Sequence, residues 1–393
     1  MDLLLDMKTI LLTLVIGHLF TAVFIIAYWR QQKNESTIRY FFYAKCLQAT
    51  AWMILILRGG LSDTLTVSLV NSSLFIGYAL ETISVLKIQN ILSRFTRNLY
   101  IALTIFNIVG FHFILFFDNV EKLRISFVSV GIAVSLLIPA YKMIQIRAAS
   151  MVTHVLGYLY LTIVVFLLIR LVSAAFFDTL ISFYHLDGNQ SLVLLGQYFV
   201  MIAGNTGFIL LMKEQTDRAL LRMANYDDLT GTLNRRTFIA RTDQYIATYA
   251  KMKKPITLLL FDIDNFKSIN DTFGHDTGDQ VLIDLTTRMK TQLGADDLFA
   301  RYGGDEFAII IPGMDEQDSS LCAEKLRQAA EGAHVPELRL SYTISIGVLT
   351  FAPDERTHFE ELYSTCDKAL YQAKRNGRNG VYRGSVDKQV QDT

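Results

Sequence analysis

Two architectures in series are predicted: an all-α bundle of about seven apolar helices over residues 1–212, and an α/β domain over residues 227–393, joined by a helix over 213–226. Three observations predict it. Of the 74 charged side chains, only 23 lie before residue 213 and 51 lie after it. The first part holds seven stretches of roughly 20 mostly apolar residues, the length that crosses a bilayer as a helix. The second part replaces them with short apolar runs alternating with amphipathic helical patterns.

The seven stretches are 8–29, 40–58, 65–86, 99–117, 124–145, 155–177 and 191–212. The first is too long for a signal-peptide core and lacks a small-residue cleavage site before Trp29-Arg30, so an uncleaved anchor is expected. Lys and Arg in alternate connections set the orientation. Arg30, Lys33, Arg39, Lys87, Arg94, Arg97, Lys142, Arg147, Lys213 and Arg218 fall on one side; Lys8, Arg58, Lys122 and Arg124 fall on the other. That asymmetry puts the N-terminus outside and everything after residue 212 in the cytoplasm. Residues 1–212 carry a net charge of +5 and the remainder −5, so neither half has the basic excess of a nucleic-acid binder. A wholly cytosolic protein is excluded by the apolar half, and the lipid bilayer is an expected partner.

Polar residues inside the bilayer are the candidates for sensing. Lys45 and Glu81 lie on consecutive helices, both toward the inner face, and either pair or leave Lys45 to snorkel. Arg170 either lines a ligand cavity or reaches the headgroups. His18 and His112 are either haem ligands, for which no spacing argues, or helix-packing histidines. Pro139 is expected to kink the fifth helix. Cys46, Cys322 and Cys366 form no CxxC pair, which argues against a disulfide framework and a zinc site.

No Gly or Pro interrupts 212–227, so the last apolar helix is expected to run on. Ile209, Met212, Thr216, Ala219 and Met223 follow the spacing of a parallel two-helix seam, although Thr and Ala weaken it and a plain spacer helix fits equally.

In the second part, Ile256–Phe261 reads as a buried strand ending in Asp262-Ile263-Asp264. Helices are expected over 277–293, 318–332 and 358–375. Strands are expected over 298–302, 306–311, 340–349 and 380–383, with Gly303-Gly304 a hairpin turn by residue type. If the strands carrying Asp262, Asp264, Asp305 and Glu306 are neighbours, their carboxylates converge on one sheet edge. Oxygen donors without His or Cys select hard cations such as Mg²⁺, suited to phosphoryl or nucleotidyl transfer.

The same residues fall into an ordered set of motifs. They are Asp228-Leu229-Thr230-Gly231; Phe261-Asp262-Ile263-Asp264-Asn265-Phe266-Lys267; Phe273-Gly274-His275-Asp276-Thr277-Gly278-Asp279; Arg301-Tyr302-Gly303-Gly304-Asp305-Glu306-Phe307; Ser345-Ile346-Gly347; and Ala369-Leu370-Tyr371-Gln372-Ala373-Lys374-Arg375-Asn376-Gly377-Arg378-Asn379. Over roughly 222–385 the chain resembles the GGDEF family, the diguanylate cyclases.

The resemblance implies a ferredoxin-like palm of the adenylyl-cyclase kind, GTP as substrate, and cyclic di-GMP with pyrophosphate as products. It implies a homodimer, because each protomer holds one GTP, and a multi-pass location in a bacterial inner membrane with the first domain as sensor. By motif, Asp262, the Ile263 carbonyl, Asp305 and Glu306 would hold Mg²⁺, or Mn²⁺ in its place. Asp305, Glu306 and Lys267 would be catalytic, with Asp305 the proton acceptor. Asn270, His275 and Asp279 would bind the substrate, Asp279 reading the guanine edge that adenine lacks. Lys374 and Arg378, four apart on one helix face, would hold the triphosphate. One departure stands out. Where many members carry an inhibitory Arg-x-x-Asp before the turn, this chain has Gly294-Ala295-Asp296-Asp297. Two other readings were weighed: a non-catalytic GTP receptor, which the intact motifs disfavour, and a transporter, for which no inverted repeat is evident.

Overall fold

The computed structural model describes residues 7–29, 35–58, 62–146, 150–176, 189–331 and 340–385. It divides into two compact units, Met1–Asp217 and Arg218–Thr393.

The first unit contains helices α1 (Met7–Trp29), α2 (Glu35–Ile56), α3 (Asp63–Ile88), α4 (Arg94–Phe117), α5 (Glu121–Gln145) and α6 (Met151–Phe176), and α7 (Asn189–Asn225), which runs on into the second. Each matches one of the seven apolar stretches. Among the described residues five helices, α1 and α3–α6, are long and apolar enough by length and composition to cross a membrane. In α2, Arg39, Lys45 and Gln48 interrupt the apolar run, and α7 turns polar after Met212. Outward faces are unusually apolar: α4 exposes Ile105, Phe106, Val109, Phe113 and Phe116. A stripe of this size has no place against water.

Polar groups inside the bundle are matched to one another. Lys45 Nζ lies 2.9 Å from Glu81 Oε1 and donates to Gln48 Oε1 at 3.2 Å, while Gln48 Nε2 donates to Glu81 Oε2 at 2.7 Å. The pairing alternative is therefore the one the fold adopts, and Lys45 is 1% exposed rather than snorkelling. His112 contacts Ser68 Oγ at 2.6 Å and the Ile108 carbonyl at 2.8 Å, the helix-packing role. His18 is buried with neither ring nitrogen partnered. Among the described residues no three His, Cys, Asp or Glu gather as a metal site. Helix α5 continues through Pro139. Along the expected seam of α7, Met212 is buried in the bundle core, whereas Ala219 and Met223 are exposed.

The second unit adds β1 (Leu233–Asn234), α8 (Arg235–Met252), β2 (Ile256–Ile263), α9 (Phe266–Phe273), α10 (His275–Gln292), β3 (Leu298–Arg301), β4 (Glu306–Pro312), α11 (Glu316–Glu331), β5 (Ile344–Phe351), α12 (Phe359–Arg375) and β6 (Val381–Arg383). The sheet order is β1-β3-β4-β2-β5-β6. Strand β2 lies inside it, antiparallel to both β4 and β5, and all eight of its residues are buried. Alternation along the strand sends Leu259, Phe261 and Ile263 into a core under α10 and α11, and Leu258 and Leu260 into a second core under α8 and α12. Gly347 in β5 lets α12 approach: a Cβ there would stand 2.4 Å from the Cys366 carbonyl.

Two helices and one strand were absent from the sequence reading: α8, α9 and the two-residue β1. Helix α8 starts at Asn234, whose side chain accepts from Thr237 N at 2.9 Å, an ordinary N-cap. Helix α9 is only eight residues long, too short for periodicity to speak. The strand expected over 340–349 begins at Ile344.

Removing one partner of a buried ion pair strands the other charge, at a cost of about 3–5 kcal/mol. Glu81→Met alone should therefore lower the melting temperature of the reconstituted protein sharply. The double replacement Lys45→Met, Glu81→Met should recover most of the loss, measured by scanning calorimetry or thermal aggregation.

Candidate active site at the ends of the central strands

The antiparallel register of β2 and β4 places Asp262 opposite Glu306, with Phe261 opposite Phe307 beneath. Asp305 precedes Glu306 at the tip of the β3–β4 hairpin, so three acidic residues meet at this sheet edge. Asp262 is 7% exposed, and Lys374 Nζ from the last turn of α12 donates to its Oδ2 at 2.7 Å. Burial pushes the Asp262 carboxyl up to about 6; the Lys374 ammonium opposes that rise, and Asp305 and Glu306 add to it. A buried acid facing two further carboxylates is a natural position for a cation. No three of the described acids form a cage unaided, but Mg²⁺ is ordinarily held by one or two carboxylates together with substrate phosphates. The donor set fits.

The hairpin itself is pinned from behind. Arg301 donates through Nε and Nη2 to the Gly304 carbonyl at 2.9 and 2.7 Å, and through Nη1 to Asp227 at 3.2 Å. Asp227 in turn accepts from Thr230 N and Oγ1. Against the upward push of burial, the Thr230 bonds and Arg301 hold its carboxyl below the usual range. Tyr302 stacks on Tyr363 at 4.7 Å and carries the Arg235 guanidinium over its ring. The expected hairpin is present, but neither Gly303 nor Gly304 has a positive φ. A Cβ on Gly304 would meet nothing within 4 Å, so this glycine borders open space.

Asp264 departs from the expected acidic cluster. It is buried and accepts from Thr343 Oγ1, Ser345 Oγ and Asn379 N at 2.7, 2.6 and 2.9 Å. With three donors it is committed to holding the turn after α12. That turn also corrects the placement of Arg378. Helix α12 ends at Arg375, Gly377 has φ 109 and Arg378 has φ 64, so Lys374 and Arg378 do not share a helix face. The run Asn376-Gly377 stops the helix before a fourth residue can be added. Arg378 is exposed beside the site, its backbone N donating to the Ala373 carbonyl at 3.2 Å.

Lys267 is exposed in the first turn of α9. Asn270 on α9 faces Gly278 on α10, and its Oδ1 is buried without a hydrogen-bond partner. A Cβ at Gly278 would lie 1.9 Å from that oxygen. His275 and Asp279 are exposed, four residues apart on α10, and Gly278 lies between them in sequence. The fold thus sets Asn270 of α9 against Gly278 of α10 and brings Asp262, Asp305, Glu306 and Lys374 together at the strand ends. Sequence reasoning gave no role to Asp227, Arg301 or Gly278. Asp227 alone had a local signal, an Asp three residues before Thr230 at a turn.

Residues 224–380 match the family model described as diguanylate cyclase, GGDEF domain. This segment belongs to the GGDEF family. Similar proteins include the response regulator PleD of Caulobacter vibrioides, 42% identical over 166 residues, which are 41% of this chain and 36% of that one. The probable diguanylate cyclase DgcC of Escherichia coli K12 is 35% identical over 163 residues, 41% of this chain and 44% of that one. The chain therefore matches under half the length of these curated relatives. Among solved structures, the coiled coil and GGDEF domain of DgcB from Caulobacter crescentus, in complex with c-di-GMP, is 29% identical. It covers 48% of this chain and 99% of that one, with a TM-score of 0.44.

Within the GGDEF domain a Cβ at Gly278 would overlap the Asn270 side chain. Gly278→Ala should therefore turn Asn270 away from α10 into another rotamer, read from a crystal structure of the variant; an unmoved Asn270 would show that the two residues do not press on each other.

Proposed function

We propose that the protein is a membrane-bound diguanylate cyclase, condensing two GTP into cyclic di-GMP and two pyrophosphates under control of the helical unit. The observation that carries this reading is the pairing of Asp262 with Glu306 next to Asp305, beside a hairpin turn whose Gly304 faces open space, in a domain of the GGDEF family. Each domain would hold one GTP, and two domains would face each other in a homodimer. The 3′-hydroxyl of one GTP attacks the α-phosphorus of the other, forming a P–O bond as pyrophosphate leaves; the reciprocal attack closes the ring.

Asp305 takes the proton of the attacking hydroxyl. Asp262, the Ile263 carbonyl, Asp305 and Glu306 would hold Mg²⁺ or Mn²⁺, which supplies charge neutralisation at the phosphates and acidifies the hydroxyl. Lys267 stabilises charge on the phosphoryl oxygens. Lys374, now on Asp262, exchanges that partner for the triphosphate, assisted by Arg378 from its turn. Asn270, His275 and Asp279 bind the guanine and its ribose end, with Asp279 accepting from the N1–H and exocyclic amine. The apolar exterior of the bundle and the five long apolar helices among the described residues support membrane spans; the Lys and Arg distribution between alternate connections argues for a cytoplasmic GGDEF domain and an outside N-terminus, in a bacterial inner membrane.

Reconstituted protein given GTP and Mg²⁺ should release cyclic di-GMP. Asp305→Ala should lower the rate by at least about a hundredfold while leaving GTP binding measurable. Binding of GTP without turnover in the unmodified protein would instead favour a receptor.

Product inhibition through the Gly294–Asp297 site is expected to be weak. Gly294 N donates to Asp297 Oδ2 at 2.7 Å, and neither Gly294 nor the neighbouring Asp296 supplies the fork that would grip an anionic product there. A Cβ at Gly294 meets only Asp297, at 3.5 Å or more. Gly294→Arg should strengthen inhibition by added cyclic di-GMP relative to the unmodified protein, read from progress curves; inhibition unchanged by the substitution would overturn this.

A further inference from the structure

Beyond α12 three residues in a row have left-handed backbone: Gly377 with φ 109, Arg378 with φ 64 and Asn379 with φ 42. Glycine enters that region freely, whereas arginine stays there only where its surroundings compel it. Asn379 supplies the compulsion. Its N donates to Asp264 Oδ2 at 2.9 Å, its Nδ2 donates to Glu331 Oε1 at 2.9 Å, and its Oδ1 accepts from Arg327 Nη1 at 2.7 Å. Main chain and side chain are both tied, to three residues on two sides of the turn.

Arg327 is itself held firmly on α11. Its Nε and Nη2 donate to Glu324 at 3.0 and 2.7 Å, and Nη1 also donates to Glu331 at 2.7 Å. Ion pairs between exposed side chains three or four apart on a helix contribute little by themselves. What sets this arginine apart is the bond to Asn379, 52 residues away in the chain. The two glutamates fix the plane of the guanidinium, which leaves one N–H aimed at the turn. A lysine offers no such fork.

The turn that is held in this way carries Arg378. Lys374, on Asp262, lies in the last turn of α12, and Arg378 follows with its N on the Ala373 carbonyl. Arg378 is exposed, so the backbone of the turn, rather than packing of the side chain, sets where its guanidinium starts from. One side of the turn is fastened to Asp264, two residues beyond Asp262, and the other to α11.

We infer that Arg327 and Asn379 are positioning residues for the triphosphate: they touch no substrate, and they hold the turn from which Arg378 reaches the phosphates. This rests on the reading that Arg378 holds the triphosphate.

The test is equilibrium dialysis of guanosine 5′-(α,β-methylene)triphosphate with Mg²⁺ against full-length protein in nanodiscs, a probe that is not turned over at the α-phosphate. Asn379→Gly keeps access to positive φ and removes only the side chain. It and Arg327→Gln should each weaken binding about tenfold, as should Arg378→Gln. In the Arg378→Gln background neither substitution should weaken binding further. Losses that multiply in the double variants would mark a general loosening of the domain and overturn the inference. Unchanged binding in Asn379→Gly would overturn it as well. Should Arg327→Gln fail to fold, the cycle between Asn379→Gly and Arg378→Gln decides alone. Unchanged binding in Arg378→Gln would overturn the reading of Arg378 itself, and the inference with it.

Discussion

Everything at the candidate active site depends on the register between β2 and β4. Antiparallel pairing puts Asp262 level with Glu306, and the period-two alternation of strands ties that polar pairing to the burial of Leu259, Phe261, Phe307 and Ile309. A slip of one residue would turn every one of these side chains to the other face. The hydrophobic cores on both sides of β2 therefore hold the acidic edge in place. Burial that fixes the register also raises the Asp262 carboxyl to about 6, so the same packing that positions the acid makes it receptive to a cation or to Lys374.

A second set of contacts holds the loops that the sheet cannot reach. Arg301 spans Asp227 and the Gly304 carbonyl, joining the turn that opens the domain to the tip of the β3–β4 hairpin. Asp264 gathers Thr343, Ser345 and the Asn379 amide, joining β2 to the turn beyond α12. Charge-assisted hydrogen bonds of this kind are short and directional. They confine the hairpin tip and the turn beyond α12, which border the acidic edge, and such confinement is what preorganises polar groups.

The helical unit follows a different logic. Its exterior is apolar, so its specificity lies in the few polar groups turned inward. Glu81, Lys45 and Gln48 satisfy one another, and Glu81 Oε1 lies beside Gly204 of α7, where a Cβ would stand only 2.8 Å away. One helical turn back along α3, Tyr78 accepts from Gln197, also on α7. Both contacts bear on the helix that continues to Asn225.

How much of this was legible in the sequence follows from the range over which each feature is determined. Seven apolar stretches and the buried strand at 256–261 are local in sequence; helices occupy the former, and the strand runs two residues further, to Ile263. Helices α8 and α9 escaped because one is held by tertiary packing over a mostly polar surface and the other is a mere two turns long. The role of Asp264 could not be read, since its donors lie 79, 81 and 115 residues away. Nor could the choice between pairing and snorkelling for Lys45, whose partner on α3 becomes a neighbour only when the helices pack. Arg378 was misplaced because a helical spacing of four has meaning only inside a helix, and the turn at Asn376-Gly377 ends it. The sequence by itself determined which segments are apolar and which motifs are present. Only the tertiary structure decided which polar atoms meet, because a hydrogen bond or ion pair needs its partners within about 3 Å, and that proximity is a property of the packed chain.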